Sequence, residues 1–275
     1  MLFSLSRSKS LCLACVPIAC LLVVAPGLVA QTSAGNELNL GVDAYKSGQY
    51  DDAIAHFQKA VDLDPSSVEA KTYLGTALSQ NVVPGLATPE NLKTAQQAID
   101  VFQQVIVSQP HDVDTMKQMA GIYFNIKKLD DAREWQKKVM VENPSDAEAA
   151  FTIGVIDWTE SHQNALKALQ AAGLNDDGKG NLSAPGPVIE SIRQQNTALV
   201  DEGIHYLSLA VQLRPDYSDA MVYLNLVYRR KADLDGGDPS ALAADLKAAS
   251  EWTSKAMETR KARVQGQRNA APAQP

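Results

Sequence analysis

The chain has 275 residues, an ordinary apolar content of 45%, and more acid than base, with 32 Asp and Glu against 25 Lys and Arg for a net charge of −7. This balance argues against nucleic acid as a partner, because phosphate binding needs a basic surface. All three cysteines, Cys12, Cys15 and Cys20, lie in the first twenty residues, so the remainder carries no disulfide, thiol nucleophile or Cys-ligated metal.

Arg7 and Lys9 open the chain, an apolar run over Leu11–Ala25 follows, and Pro26-Gly27 precedes Leu28-Val29-Ala30. That order has the form of a secretory signal peptide over residues 1–30, with cleavage after Ala30. Two rival outcomes keep the chain on a membrane: an uncleaved leader acting as an anchor, or lipid on Cys20. Pro17, Pro26 and Gly27 oppose a spanning helix. Without Arg7 and Lys9, and with every acidic residue kept, the net charge falls from −7 to −9. The expected location is outside the cytoplasm of a bacterium, in the periplasm.

From residue 34 onward the chain repeats itself. Prolines at 65, 110, 144 and 215 close the similar phrases AVDLDP, VIVSQP, VMVENP and AVQLRP. One spacing is 34 residues and the others are 34 with extra residues added, a period that means stacked helix–turn–helix units. Leu40-Gly41 recurs as Leu74-Gly75, Met119-Ala120 and Ile153-Gly154, and Leu224 continues it. Ala53, Phe57 and Ala60 share one helix face and recur as Ala98, Phe102 and Val105, then as Gly203, Leu207 and Ala210. Gln136 and Thr253 replace the central bulk in two copies, where Trp135 and Trp252 stand one residue earlier. Phe102 is therefore expected in the core between neighbouring units. Strand-period runs are absent, so the class is all-α.

These residues resemble the tetratricopeptide repeat (TPR) family. The resemblance implies a right-handed α-solenoid of about five helix pairs over residues 31–259. The units fall at roughly 34–67, 68–112, 113–146, 147–217 and 218–258. Ser66–Glu69 and Ser145–Glu148 read as capping boxes, and Thr88-Pro89 and Asp238-Pro239 as N-caps followed by proline. Three insertions fall between the helices of a pair, near 80–91, 159–199 and 231–240. The long one is expected to hold two extra helices, 161–174 and 188–200, around a Gly/Pro/Asp-rich loop. Residues 260–275 read as a basic disordered tail, where contact with a membrane surface or an envelope polymer is an alternative.

Little in the chain points to catalysis. Gly173–Gly180 has the glycine and lysine spacing of a phosphate-binding loop, but Gly180 stands where a magnesium-holding Ser or Thr is required. Asn175–Gly178 lacks the alternating oxygens of a calcium loop, and the four histidines form no zinc pair. No enzyme activity, cofactor or metal is expected. Asp157 is unusual, because it stands where other units carry Leu78, Tyr123 and Tyr228. The preferred account turns that helix end toward water. The other places a carboxylate with a shifted pKa near the helix-pair core.

In TPR proteins the first helices line a concave face. By that resemblance the partner-facing positions are Tyr45, Phe124, Asn125, Phe151, Val155, Trp158, Val222, Leu226, Arg229 and Arg230. Lys117 matches a lysine of the clamp that grips C-terminal carboxylates, but Gly121 replaces the clamp asparagine. Phe151, Val155 and Trp158 form a stripe suited to a peptide or helix, unless the insertion packs on it. The expected function is a protein-binding scaffold of the bacterial envelope. The alternative is a structural subunit whose groove is filled by its own 159–199 insertion.

Overall fold

The computed structural model describes residues 26–270, and the side chains of residues 33–267. Most of the leader lies outside the described residues. Every regular element among those described is a helix, and ten helices alternate in five pairs. These are α1 (Pro26–Lys46) with α2 (Tyr50–Leu63), α3 (Val68–Gln80) with α4 (Pro89–Ser108), and α5 (Val113–Asn125) with α6 (Leu129–Glu142). Then come α7 (Ala147–Ala171) with α8 (Gly186–Leu213), and α9 (Ser218–Ala232) with α10 (Pro239–Ala270). No described helix is long and apolar enough to cross a membrane.

The repeated residues explain the stacking. Phe57, Phe102 and Leu207 are fully buried on the second helices of units one, two and four. They fit because the facing first helix has a glycine. A Cβ on Gly75 would stand 2.7 Å from the Phe102 ring, and one on Gly41 would stand 2.5 Å from Phe57. Each of α2, α4, α6 and α8 stops shortly before its proline, which cannot continue the hydrogen-bond ladder. Short polar residues then start the next helix. Thr88 accepts from the Asn91 amide, while Ser67 and Asp146, one residue beyond the expected box starts, accept from Ala70 and from Glu148 and Ala149.

The long insertion differs from expectation. It adds no separate helices; α7 and α8 themselves are lengthened and joined by residues 172–185. Nothing around Trp158–Ser161 or Leu199–Val200 breaks a helix, and the Gly- and Pro-rich residues come only between the two. Ala165, Leu169 and Ile192 give this extension its own small core, with Leu234 packed against it. Residues 260–270 also differ, because α10 stays helical to Ala270.

Candidate functional site

The insertion after α3 builds one wall of a concave hollow. Asn91, buried in the first turn of α4, accepts from the Val83 amide at 2.8 Å and donates to the carbonyls of Val83 and Leu86. Gly85, at φ +74°, turns the loop so that its amide donates to the Asn125 carbonyl at 2.8 Å. The loop is thereby tied to α5. Val82 and Pro84 then face Ser79 and Gln80 of α3, and Lys117, Gln118, Gly121 and Asn125 of α5, around a hollow of about 740 Å3. A Cβ on Gly121 would meet nothing within 4 Å, so the floor is open. Val83 and Leu86 are exposed on the same loop.

The lysine in this hollow is already paired. Lys117 Nζ lies 2.6 Å from Asp146 and 3.8 Å from Glu148. Burial opposes the charge on Asp146, but Lys117 and the amides of Ala149 and Glu148 hold its carboxyl below the usual range. With Gly121 in place of the clamp asparagine, the hollow offers amide side chains rather than a free cation.

The expected groove residues separate into groups. Asn125 lines the hollow. Tyr45 and Phe124 are half-buried against the first core, with Tyr45 5.3 Å from the Tyr50 ring. Phe151 packs on Tyr217 and Tyr223, and Trp158 meets Tyr223 edge-on and stacks on His162 at 5.1 Å. The ring partners of this stripe thus come from around α9 and from α7 itself, and Val155 between them is half-buried. Val222 and Leu226 line a small hollow at the far end of the solenoid.

Arg229 and Arg230 are engaged within the chain. Arg230 is 3% exposed and sits 2.8 Å from Asp176 and 2.9 Å from Asp233, the latter without hydrogen-bond alignment. Arg229 donates to Asn225 and to the Gly178 carbonyl. Both hold down the loop that the insertion supplies. Asn181, itself buried, donates to Asp176 and to Asp233 across the same contact. Burial pushes the Asp233 carboxyl up to about 7, against the pull of Arg230.

Asp157 is fully buried and has not turned to water. Arg133 Nε reaches it at 2.6 Å, and the same guanidinium bonds Glu160 and Asp130. Lys137 pairs with Glu202 beside them at 2.6 Å. Four carboxylates thus share two cations. Burial, with Glu202 nearby, raises Asp157 to about 7 although Arg133 pulls it down. The elongation of α7 places Glu160 where it shares Arg133 with Asp157, which the sequence pattern alone did not show. Among the described residues no group of three or more His, Cys, Asp or Glu could hold a metal ion.

A family model described as TPR repeat matches residues 43–82, which span α2, α3 and the end of α1. That segment matches a tetratricopeptide repeat, and the helix pairs around it repeat its architecture. Among curated proteins it is similar to the Protein STIP1 homolog of Dictyostelium discoideum, 25% identical over 112 residues. That match covers 41% of this chain and 19% of the relative, so this chain spans about a fifth of that relative's length. Among solved structures the TPR fold is similar to that of a MamA protein, with a TM-score of 0.57 and 15% identity over 88% of this chain and 98% of the other. MamA 41-end from Desulfovibrio magneticus RS-1 follows at 0.55, with 18% identity over 84% and 96%. YrrB, described as a TPR protein with an unusual peptide-binding site, reaches 0.50 at 14% identity over 82% and 90%. At these identities the likeness is one of fold.

Proposed function

We propose that this TPR protein is a non-enzymatic scaffold of the bacterial envelope that binds an extended segment of a partner protein in the hollow between α3 and α5. The observation that carries this reading is the open floor at Gly121 beneath a wall pinned by Asn91. Gln80, Gln118 and Asn125 supply donors and acceptors for a peptide backbone, and Val82 and Pro84 supply apolar surface. Lys117 is neutralised by Asp146, so a free terminal carboxylate is not the feature read. The peptide site in YrrB's description supports the general mode on a similar fold. The apolar run and Ala30 support export. The self-filled reading keeps a specific basis in the last units, where the 173–181 loop covers the end of α9 through Arg229 and Arg230.

Photo-crosslinking in the native host tests this reading. A benzophenone amino acid at Gln80, exposed in the lining of the hollow, should capture a discrete partner, and one at Gln103, exposed on α4, should not. Gly121→Trp should fill the hollow and abolish capture with helicity unchanged. Equal labelling at both positions, or capture that survives Gly121→Trp, defeats the proposal.

A further inference from the structure

The last unit lacks the feature that stops every earlier one. Pro65, Pro110, Pro144 and Pro215 each stand five residues after the buried Ala60, Val105, Val139 and Ala210. Five residues after the equivalent Ala256 the chain has Lys261, and α10 runs on to Ala270. Residues 261–267 are exposed. Lys261 and Arg263 on this overhang have no ion pair among the described residues, whereas Arg260 reaches Asp219 at 2.8 Å.

The face beside the overhang is one that the other units always cover. Val61, Ile106, Met140 and Val211 occupy the same position, one residue after the buried residue, and pack into the cores that neighbouring units complete. Met257 is the fifth of the series and is 57% exposed. It lines a hollow of about 150 Å3 with Val222, Leu226 and Ala256. In the internal interfaces the covering element is the first helix of the next unit. Those helices share a pattern: an acidic residue, then Ala or Thr, then a large apolar residue four positions on. The acids are Glu69, Asp114, Glu148 and Asp219, and the buried apolar residues are Leu74, Met119, Ile153 and Leu224.

We propose that the edge formed by α9 and α10 docks an amphipathic helix from another protein that carries this pattern, with acidic residues set toward Lys261 and Arg263. Two observations select this occupant. The site continues the internal helix–helix interface by the same residues, and the basic overhang complements an acidic first turn. A second copy of this chain does not supply the helix. Its first unit breaks the pattern with Gly35, Asn36 and Asp43, and its Leu40 stays 50% exposed on a polar face. Such a polar outer face is what caps a repeat array. Among the described residues nothing equivalent covers Met257.

The test uses the full chain and a stapled, fluorescein-labelled peptide with the sequence of residues 67–81, SVEAKTYLGTALSQN. Fluorescence anisotropy should show saturable binding. Met257→Glu, at an exposed position, should leave the melting temperature unchanged and weaken binding about tenfold, the scale of losing one buried apolar side chain. The pair Lys261→Glu and Arg263→Glu should weaken it too and reduce its dependence on salt. No saturable binding, or binding indifferent to Met257→Glu, overturns the proposal. So does capture of the chain by anionic phospholipid vesicles that depends on Lys261 and Arg263 but not on Met257. Peptide binding that disappears because the chain self-associates through the same face would also overturn it, by showing that a second copy is the occupant.

Discussion

The contact between Phe102 and Gly75 offers a direct test of how the units pack. Phe102 is fully buried, and truncating a buried aromatic to alanine costs ~3–5 kcal/mol through lost transfer energy and the cavity left behind. Gly75→Ala acts on the same ring from the other side. Its Cβ would sit 2.7–2.9 Å from three carbons of this buried ring. Overpacking of this kind costs ~1–3 kcal/mol, while replacing a mid-helix glycine by alanine contributes ~1 kcal/mol in the opposite direction. The single change should therefore destabilise by up to ~2 kcal/mol. In the Phe102→Ala background the ring is gone, and Gly75→Ala should stabilise by up to ~1 kcal/mol. The sign of the glycine substitution thus reverses. Urea unfolding of the four proteins, followed by far-UV circular dichroism, measures this directly. Free energies that add to within ~0.5 kcal/mol would refute the contact. A Phe102→Ala cost within ~0.5 kcal/mol would refute the repeat register itself.

Other expectations concern charge and the leader. Asp233 and Asp157 are both raised to about 7, so between about pH 4 and 7 the folded chain holds protons that the unfolded chain releases. Their contribution is present in full at the acidic end and is lost as pH rises through about 7, so the melting temperature should fall from pH 5 to pH 8. Asp233→Asn mimics the protonated acid and should flatten that slope by as much as one proton's share; an unchanged slope would remove Asp233 from the account. Protein purified from its native host should begin at Gln31 on N-terminal sequencing, and recovery of Met1–Ala30 intact in membranes would contradict export with cleavage.

The period of 34 and the paired Leu-Gly and Ala-Phe-Ala positions made the solenoid legible, because each residue type answers a steric demand that recurs in every unit. Phe102 is the clearest case: its burial followed from its place in the repeat. The candidate site was less legible. The α3–α4 insertion was recognisable from Val82–Gly85, but its role as a wall depends on Asn91 and on a backbone bond to Asn125, and neither has a sequence pattern of its own. Arg230 departs from its expected place for a related reason. Its repeat position points into the groove, but a loop more than fifty residues away in sequence comes back to bury it. The burial of Asp157 is hidden from the sequence because its partner, Arg133, is on the preceding unit, and nothing in the pattern of α7 names it.

The lengthened fourth unit separates the two halves of the groove. In the first half, the wall formed by 81–88 rests on neutral hydrogen bonds from Asn91 and leaves an open floor. In the second, the insertion spends its polar residues on its own neighbours: Asp176 and Asn181 on α9 and its end, Arg193 on the carbonyls of Leu234 and Gly236. Buried ion pairs of this sort contribute little net stability, because desolvation consumes most of the Coulombic gain. Their geometric demand is high, however, since breaking one leaves a charge buried without compensation. The Arg230–Asp176–Asp233 contact therefore serves to fix where the extension lies against unit five. With that end fixed and its arginines occupied, the α3–α5 hollow is the site we propose for a peptide, and the outer edge at Met257 the one we propose for a helix. The two proposed surfaces lie in different units and share no residue, so a substitution in one tests it without altering the other.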